Sequence, residues 1–190
     1  ILSVGRISKI KDYETLIKAA AILRDRGLAF KVEIVGRPVM PYDFEYFKEL
    51  KKAVANLGLG DFVEFIGFIP YSQIADYYKE SDIFINLAPT GGIDKAVLEA
   101  MASGLPVLVS NEAFKKYFGS FGSFLIFKHG DAISLADKIF SISKLPDERI
   151  EEISNFLKTI KLELHPEKSK IIPLHRCVEL LGFRTFYHYR

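Results

Sequence analysis

Cysteine is nearly absent: Cys177 stands alone among 190 residues. One thiol excludes an intramolecular disulfide framework and any metal site built from several cysteines. A reducing, cytoplasmic setting agrees with that. His129, His165, His175 and His188 do not fall at metal-ligand spacing, and the His175–Cys177 pair has no second pair to complete a tetrahedron, so no bound metal is expected. Tryptophan is missing, and the 16 phenylalanines carry bulk without a functional message. Neither sign of charge dominates. The 26 Lys+Arg against 24 Asp+Glu leave a net charge of +2, too weak a field to select nucleic acid or an acidic partner. No apolar run approaches the roughly 20 residues of a membrane helix, and no signal-peptide pattern opens the chain. The G-x-G-x-x-G, Walker and G-x-S-x-G patterns do not occur. The chain enters a strand pattern at Ile1, which reads as a fragment whose own N-terminus lies upstream.

What is present suffices for a core: 49% of the residues are hydrophobic, in a length that fits one domain or one domain with an appendage. The stretch from Ser81 to Asn111 organises the rest. An apolar run, Ile83 to Leu87, leads into a turn with Pro89, Gly91 and Gly92. A helix-length segment follows, then Gly104, then a second apolar run from Pro106 to Val109. That is a βαβ unit. In such units ligands bind at the loop after the first strand. The unpaired amides at the helix start near Asp94 favour an anion, especially phosphate.

Elsewhere strand and helix patterns alternate. Ile1–Val4 reads as a buried strand ended by Gly5. Tyr13–Arg26 reads as an amphipathic helix on Leu16, Ala19, Ala20 and Leu23, with Gly27 as its stop. Strands follow over Phe30–Val35 and Phe62–Ile66, separated by a helix over Asp43–Leu57. Tyr71–Lys79 reads as a short helix with Ser72 as N-cap. Past the central unit, Phe124–Phe127 reads as another strand and Asp131–Ser143 as a helix. The alternation predicts an α/β fold with a mainly parallel sheet and right-handed connections. A change of character near Pro146 sets residues 1–147 apart from an appendage, 148–190, of a helix, one or two strands and a turn.

Several side chains gather at one edge of that sheet. Arg6 and Lys11 follow the first strand, at the same carboxyl edge as the Gly91–Gly92 loop. Two cations beside a helix N-terminus match the needs of a diphosphate, although loop cations are as simply read as solvated charges. Glu99 sits in an apolar helix. It is either exposed or buried against a partner, and a buried carboxylate there could accept ribose hydroxyls. Asp94 reads as a cap that complements the helix dipole. Lys95 is unfavourable at that end unless it meets an anion. Phe68 closes the run Phe65-Ile66-Gly67-Phe68, for which core packing is the simplest reading and contact with a base the alternative.

With these residues in place, the chain resembles the C-terminal, donor-binding domain of a GT-B glycosyltransferase of family 4 (group 1). The matching segments are S-V-G-R-I-S-K-I-K-D-Y-E-T-L-I-K-A-A (3–20), V-E-I-V-G (32–36), V-E-F-I-G-F-I-P (63–70), Y-Y-K-E-S-D-I-F-I-N (77–86) and D-K-A-V-L-E-A-M-A-S-G-L-P-V-L-V-S (94–110). The resemblance implies one half of a GT-B fold, a Rossmann-like sheet with helices on both faces. It implies retaining transfer of a sugar from a UDP- or GDP-sugar with no cofactor or obligatory metal. Arg6 and Lys11 match the basic pair that holds the diphosphate and offsets the leaving group's charge, and so take the catalytic role. Glu99 matches the second glutamate of an E-x7-E motif, which binds the ribose. The first glutamate, which touches the donor sugar, would stand at position 91, where this chain has glycine. Gly5, Phe68, Gly91, Gly92, Ile93, Asp94 and Lys95 complete the implied donor site, with Lys95 near the phosphates. The family also implies an N-terminal acceptor domain and a cytoplasmic enzyme able to work at the cytoplasmic face of a membrane.

The tail is similar to something else. Residues 155–174 and 178–184 resemble the end of the palm in group II intron or retron-type reverse transcriptases, with Lys168 and Leu181-Gly182-Phe183 at the matching motifs. The paired aspartates of that family are absent, so polymerase activity does not follow. Four alternatives stay beside the enzyme reading: a nucleotide-binding module without catalysis, a hybrid whose tail derives from an RNA-directed DNA polymerase, an RNA-binding tail, and an inactive remnant.

Overall fold

The computed structural model describes residues 1–89 and 92–160, and the backbone of Val178–Leu180 and Phe183–Thr185. Two compact units divide after Thr159: Ile1–Thr159 and Ile160–Arg190.

In the first unit the apolar runs become strands β1 (Leu2–Val4), β2 (Val32–Val35), β3 (Val63–Gly67), β4 (Phe84–Asn86) and β5 (Val107–Val109). They form one parallel sheet in the order β3-β2-β1-β4-β5. Parallel strands covered on both faces read as unbroken apolar runs, and β4 and β5 are buried at every position. The edge strand β3 is less covered, with Glu64 exposed.

Between the strands run α1 (Tyr13–Asp25), α2 (Pro41–Asn56), α3 (Ile74–Glu80) and α4 (Lys95–Ala102). After β5 come the short α5 (Lys115–Phe118) and α6 (Gly122–Leu125), then α7 (Ala132–Ile142) and α8 (Asp147–Thr159). Val32, Ile34, Ile83, Ile85 and Leu108 share a core with Leu16, Leu23, Leu50, Leu135 and Ile139 of α1, α2 and α7. Phe84 turns to the opposite face, where the Tyr78 ring of α3 meets it at 5.8 Å between centroids. Side chains alternate along a strand, so the sheet is doubly covered and Rossmann-like. α8, beyond the expected boundary at residue 147, packs against α4 within the first unit.

Two local expectations fail. Phe124–Phe127 is not a strand: Gly122–Leu125 is helical and only Ile126 bridges to Val109. Across the turns over 112–125 the large buried apolar residues are Phe114, Phe118, Phe121 and Leu125, spaced four, three and four apart. That is helical spacing, and helical turns bury all four. Ser72 does not cap a helix. Tyr71–Gln73 is a 3-10 turn running into α3, and the α3 start has no side-chain cap.

In the second unit, β6 (Val178–Leu180) pairs antiparallel with β7 (Phe183–Thr185). Lys168, Leu181 and Gly182, which carry the second resemblance, lie outside the described residues, as do Cys177, His165, His175 and His188.

Candidate functional site

The strand order decides where a site can be. The chain moves outward from β1 to β2 and β3, then returns to the other side of β1 for β4 and β5. At such a switch point the connections diverge above the carboxyl ends of the two central strands, leaving a crevice. The loops after β1 and β4 border it, and they carry Gly5, Arg6 and Lys11 on one side and Gly92, Ile93, Asp94 and Lys95 on the other.

Backbone packing brings the β1 loop close. The Gly5 amide donates to the Val35 carbonyl at 2.9 Å, and the Gly5 carbonyl accepts the Tyr13 hydroxyl at 3.2 Å. A β-carbon on Gly5 would stand 3.3 Å from Lys11 Cε, so the small residue leaves room for the lysine stem. Lys11 ends the turn Lys9–Lys11, and its ammonium donates to Asp94 Oδ2 across 83 residues of sequence. The same oxygen accepts the Asn86 amide at 2.9 Å. Oδ1 caps α4 by accepting the Ala96 N–H at 3.2 Å. Asn86 is a buried polar residue at the end of an otherwise apolar strand. The cap expected at Asp94 is present, and it also holds a cation.

Burial by itself would raise the Asp94 pKa. The Lys11 ammonium, the Asn86 amide and the Ala96 N–H outweigh it, and the net direction is downward. A carboxylate with a depressed folded pKa adds stability that is present above its ordinary value, near 3.9, and is lost as pH falls through the folded value. Asp94→Asn keeps the cap but not the charge. Thermal melts should show it less stable than the wild type at pH 6 by roughly 1 kcal/mol. That difference should shrink as the pH drops below about 4 and vanish only below the folded value. A difference that grows in acid would refute the assignment.

Arg6 is half exposed, with Nε 3.9 Å from Asp43 Oδ2. Asp43 is buried and accepts the Met40 N–H at 3.0 Å at the start of α2. Lys95 Nζ lies 3.4 Å from Glu99 Oε1 and 4.4 Å from the centroid of the Tyr71 ring. Glu99 is largely buried, and its Oε2 accepts the Tyr78 hydroxyl at 3.0 Å. Phe68 is exposed, not packed in the core, and its ring lies 4.9 Å from the Arg37 guanidinium carbon. Gly92 is exposed and Ile93 half-buried; Gly91 lies outside the described residues.

The structure thus brings Lys11 to Asp94 and Lys95 to Glu99. Asn86, Asp43, Tyr71, Tyr78 and Arg37 join the site unannounced by the sequence reading. Asn86 had a signal, as the polar end of an apolar strand. Tyr78 had none, because its hydroxyl meets Glu99 only through the packing of α3 beside α4. Among the described residues no group of three His, Cys, Asp or Glu could hold a metal, and no helix is long and apolar enough to cross a membrane.

Comparison with known proteins matches residues 1–158 to the family model described as glycosyl transferases group 1. The amylovoran biosynthesis glycosyltransferase AmsK of Erwinia amylovora is 38% identical over 119 residues, 60% of this chain and 28% of that one. The putative colanic acid biosynthesis glycosyltransferase WcaL of Escherichia coli K12 is 27% identical over 160 residues, 80% of this chain and 38% of that one. The chain therefore spans between about a quarter and two fifths of these relatives' length. Among solved structures, the C-terminal domain of the group 1 glycosyl transferase LpcC from Francisella tularensis superposes with a TM-score of 0.73 at 23% identity, covering 84% of this chain and 82% of that one. Anabaena HepE in complex with UDP-glucose superposes at 0.66 and 21% identity, covering 84% and 42%.

Proposed function

The chain belongs to the group 1 glycosyl transferases, and from that premise we propose that its β1–β4 crevice binds a nucleotide diphosphate sugar as the donor half of a retaining glycosyltransferase. One observation carries this reading: Lys11 reaches the capped start of α4 across the switch point, from the same loop that carries Arg6. An ammonium has three N–H donors. Asp94 engages Lys11, whose remaining donors can turn to phosphate oxygens. Arg6 adds a second cation from the rim, and Glu99 offers its carboxylate to the ribose.

In the transfer, the bond from the sugar's anomeric carbon to the β-phosphate oxygen breaks, and the nucleotide diphosphate leaves with the electron pair. The acceptor oxygen bonds the same face of that carbon and gives its proton to the departing phosphate. Lys11 and Arg6 offset the charge that develops on the leaving group. A separate acceptor domain completes the cleft, so this chain alone should bind donor and transfer little.

Calorimetric titration of the full chain with UDP and GDP tests the binding. One of them should bind saturably, and Arg6→Ala should weaken it roughly tenfold, the worth of one half-exposed charge-assisted contact. If neither nucleotide binds at millimolar concentration, the reading fails. A second reading, a nucleotide-responsive module without transfer, is favoured by the glycine at position 91. It predicts that an intact UDP-sugar binds no better than UDP.

A further inference from the structure

The two oxygens of Glu99 stand in different surroundings. Oε2 accepts the Tyr78 hydroxyl at 3.0 Å. Oε1 is buried 3.4 Å from Lys95 Nζ and accepts no hydrogen bond among the described residues. Buried carboxylate oxygens usually find a donor, so Oε1 has acceptor capacity left over.

Tyr78 is rigidly placed. It is 3% exposed and comes from α3, a different crossover from the helix that carries Glu99. Its ring rests on Phe84 of β4, and its oxygen also lies 3.3 Å from the Ala96 carbonyl. Burial, then the Glu99 charge, pushes the phenol's pKa well above its ordinary value. The hydroxyl therefore remains a donor throughout the neutral range. A glutamate on a helix otherwise samples several rotamers, and freezing them costs binding free energy. A hydroxyl anchored in the core can remove that cost in advance.

We propose that Tyr78 is a positioning residue for Glu99: it pins Oε2 so that Oε1 is presented to a ribose hydroxyl, which makes the site select ribonucleotide over deoxyribonucleotide donors. This rests on the reading above that Glu99 takes the ribose. The hydroxyl has one proton. While it points to Oε2 it holds the carboxylate plane, and the negative charge is left to be met at Oε1 by Lys95 and by the ligand.

The test is titration of the full chain with UDP and with 2′,3′-dideoxy-UDP. The wild type should prefer UDP by roughly tenfold or more, the worth of a hydrogen bond to a charged group. Glu99→Ala should erase that preference. Tyr78→Phe keeps the ring and should lower UDP affinity about fivefold while leaving dideoxy-UDP unchanged. A preference that survives Glu99→Ala overturns the ribose reading itself. A preference lost in Glu99→Ala but intact in Tyr78→Phe overturns only the positioning role. So does an equal loss for both nucleotides in Tyr78→Phe, since that marks a structural effect. Should Tyr78→Phe not fold, 3-fluorotyrosine at position 78 keeps the hydroxyl and strengthens its donation. The preference should then rise about twofold, and an unchanged value overturns the role.

Discussion

Lys11→Ala should cost the chain most of its affinity for a nucleoside diphosphate, on the order of a hundredfold. A charge-assisted hydrogen bond contributes roughly 1.5–3 kcal/mol, and each 1.4 kcal/mol is tenfold. Lys11 should sit at the top of that range because its ammonium is largely shielded, with only 21% of the side chain exposed. The substitution also strands Asp94, whose partly buried carboxylate would keep only Asn86 and the Ala96 N–H. The variant should therefore melt lower as well, and the two losses are separable. Lys11→Ala/Asp94→Asn removes the stranded charge and should recover stability without recovering affinity. Calorimetry and thermal melting on the single and double variants check both parts. If the single variant binds UDP within threefold of the wild type, Lys11 is a structural counter-ion of Asp94 and the diphosphate lies elsewhere.

Gly36→Ala is the largest expected effect on folding. Gly36 directly follows β2 with φ 144°, a backbone region that L side chains rarely adopt. A β-carbon there would lie 2.8 Å from the Gly5 carbonyl carbon and closer still to its oxygen. Neither atom can step aside as a side chain can. The Gly5 amide is bonded to Val35, and the Gly36 amide donates to the Gly67 carbonyl at 2.8 Å. To admit the methyl group, β1 and β2 must separate at the edge that carries Arg6. Backbone strain of about 1–3 kcal/mol and overpacking of about 1–3 kcal/mol together approach the margin of a typical domain. Urea unfolding should show a loss of about 3 kcal/mol or more. Nucleotide binding should fall with it, since Gly5 and Arg6 move together. A variant within 1 kcal/mol of the wild type would show that the β1–β2 edge is softer than its hydrogen bonds suggest.

Much of this was readable in advance, for local reasons. Strands buried on both faces must be apolar throughout, and Ile83–Leu87 and Pro106–Val109 announce two of them. An aspartate before an apolar helix serves the unpaired amides of its first turn, and Asp94 does so. Lys95 was expected near phosphate because a cation is unfavourable there. The structure offers a local compensation as well, the carboxylate of Glu99 one turn on and the face of Tyr71. Phe124–Phe127 misled because four apolar residues in a row suit a strand or one face of a helix equally. The buried positions at 114, 118, 121 and 125 chose the helix, and they are recognisable as one set only once they share a core.

The sequence by itself determined the fold class, the carboxyl-edge placement of Gly5, Arg6 and the loop before α4, and the family. Each follows from short-range pattern: periodicity, glycine at strand ends, a cap, an ordered series of motifs. Only the tertiary structure decided that Lys11 meets Asp94, that Tyr78 meets Glu99, and that Phe68 is exposed beside Arg37. Those are contacts between segments on different crossovers. The order of strands and the packing of helices on the two faces set them, and no local spacing encodes either.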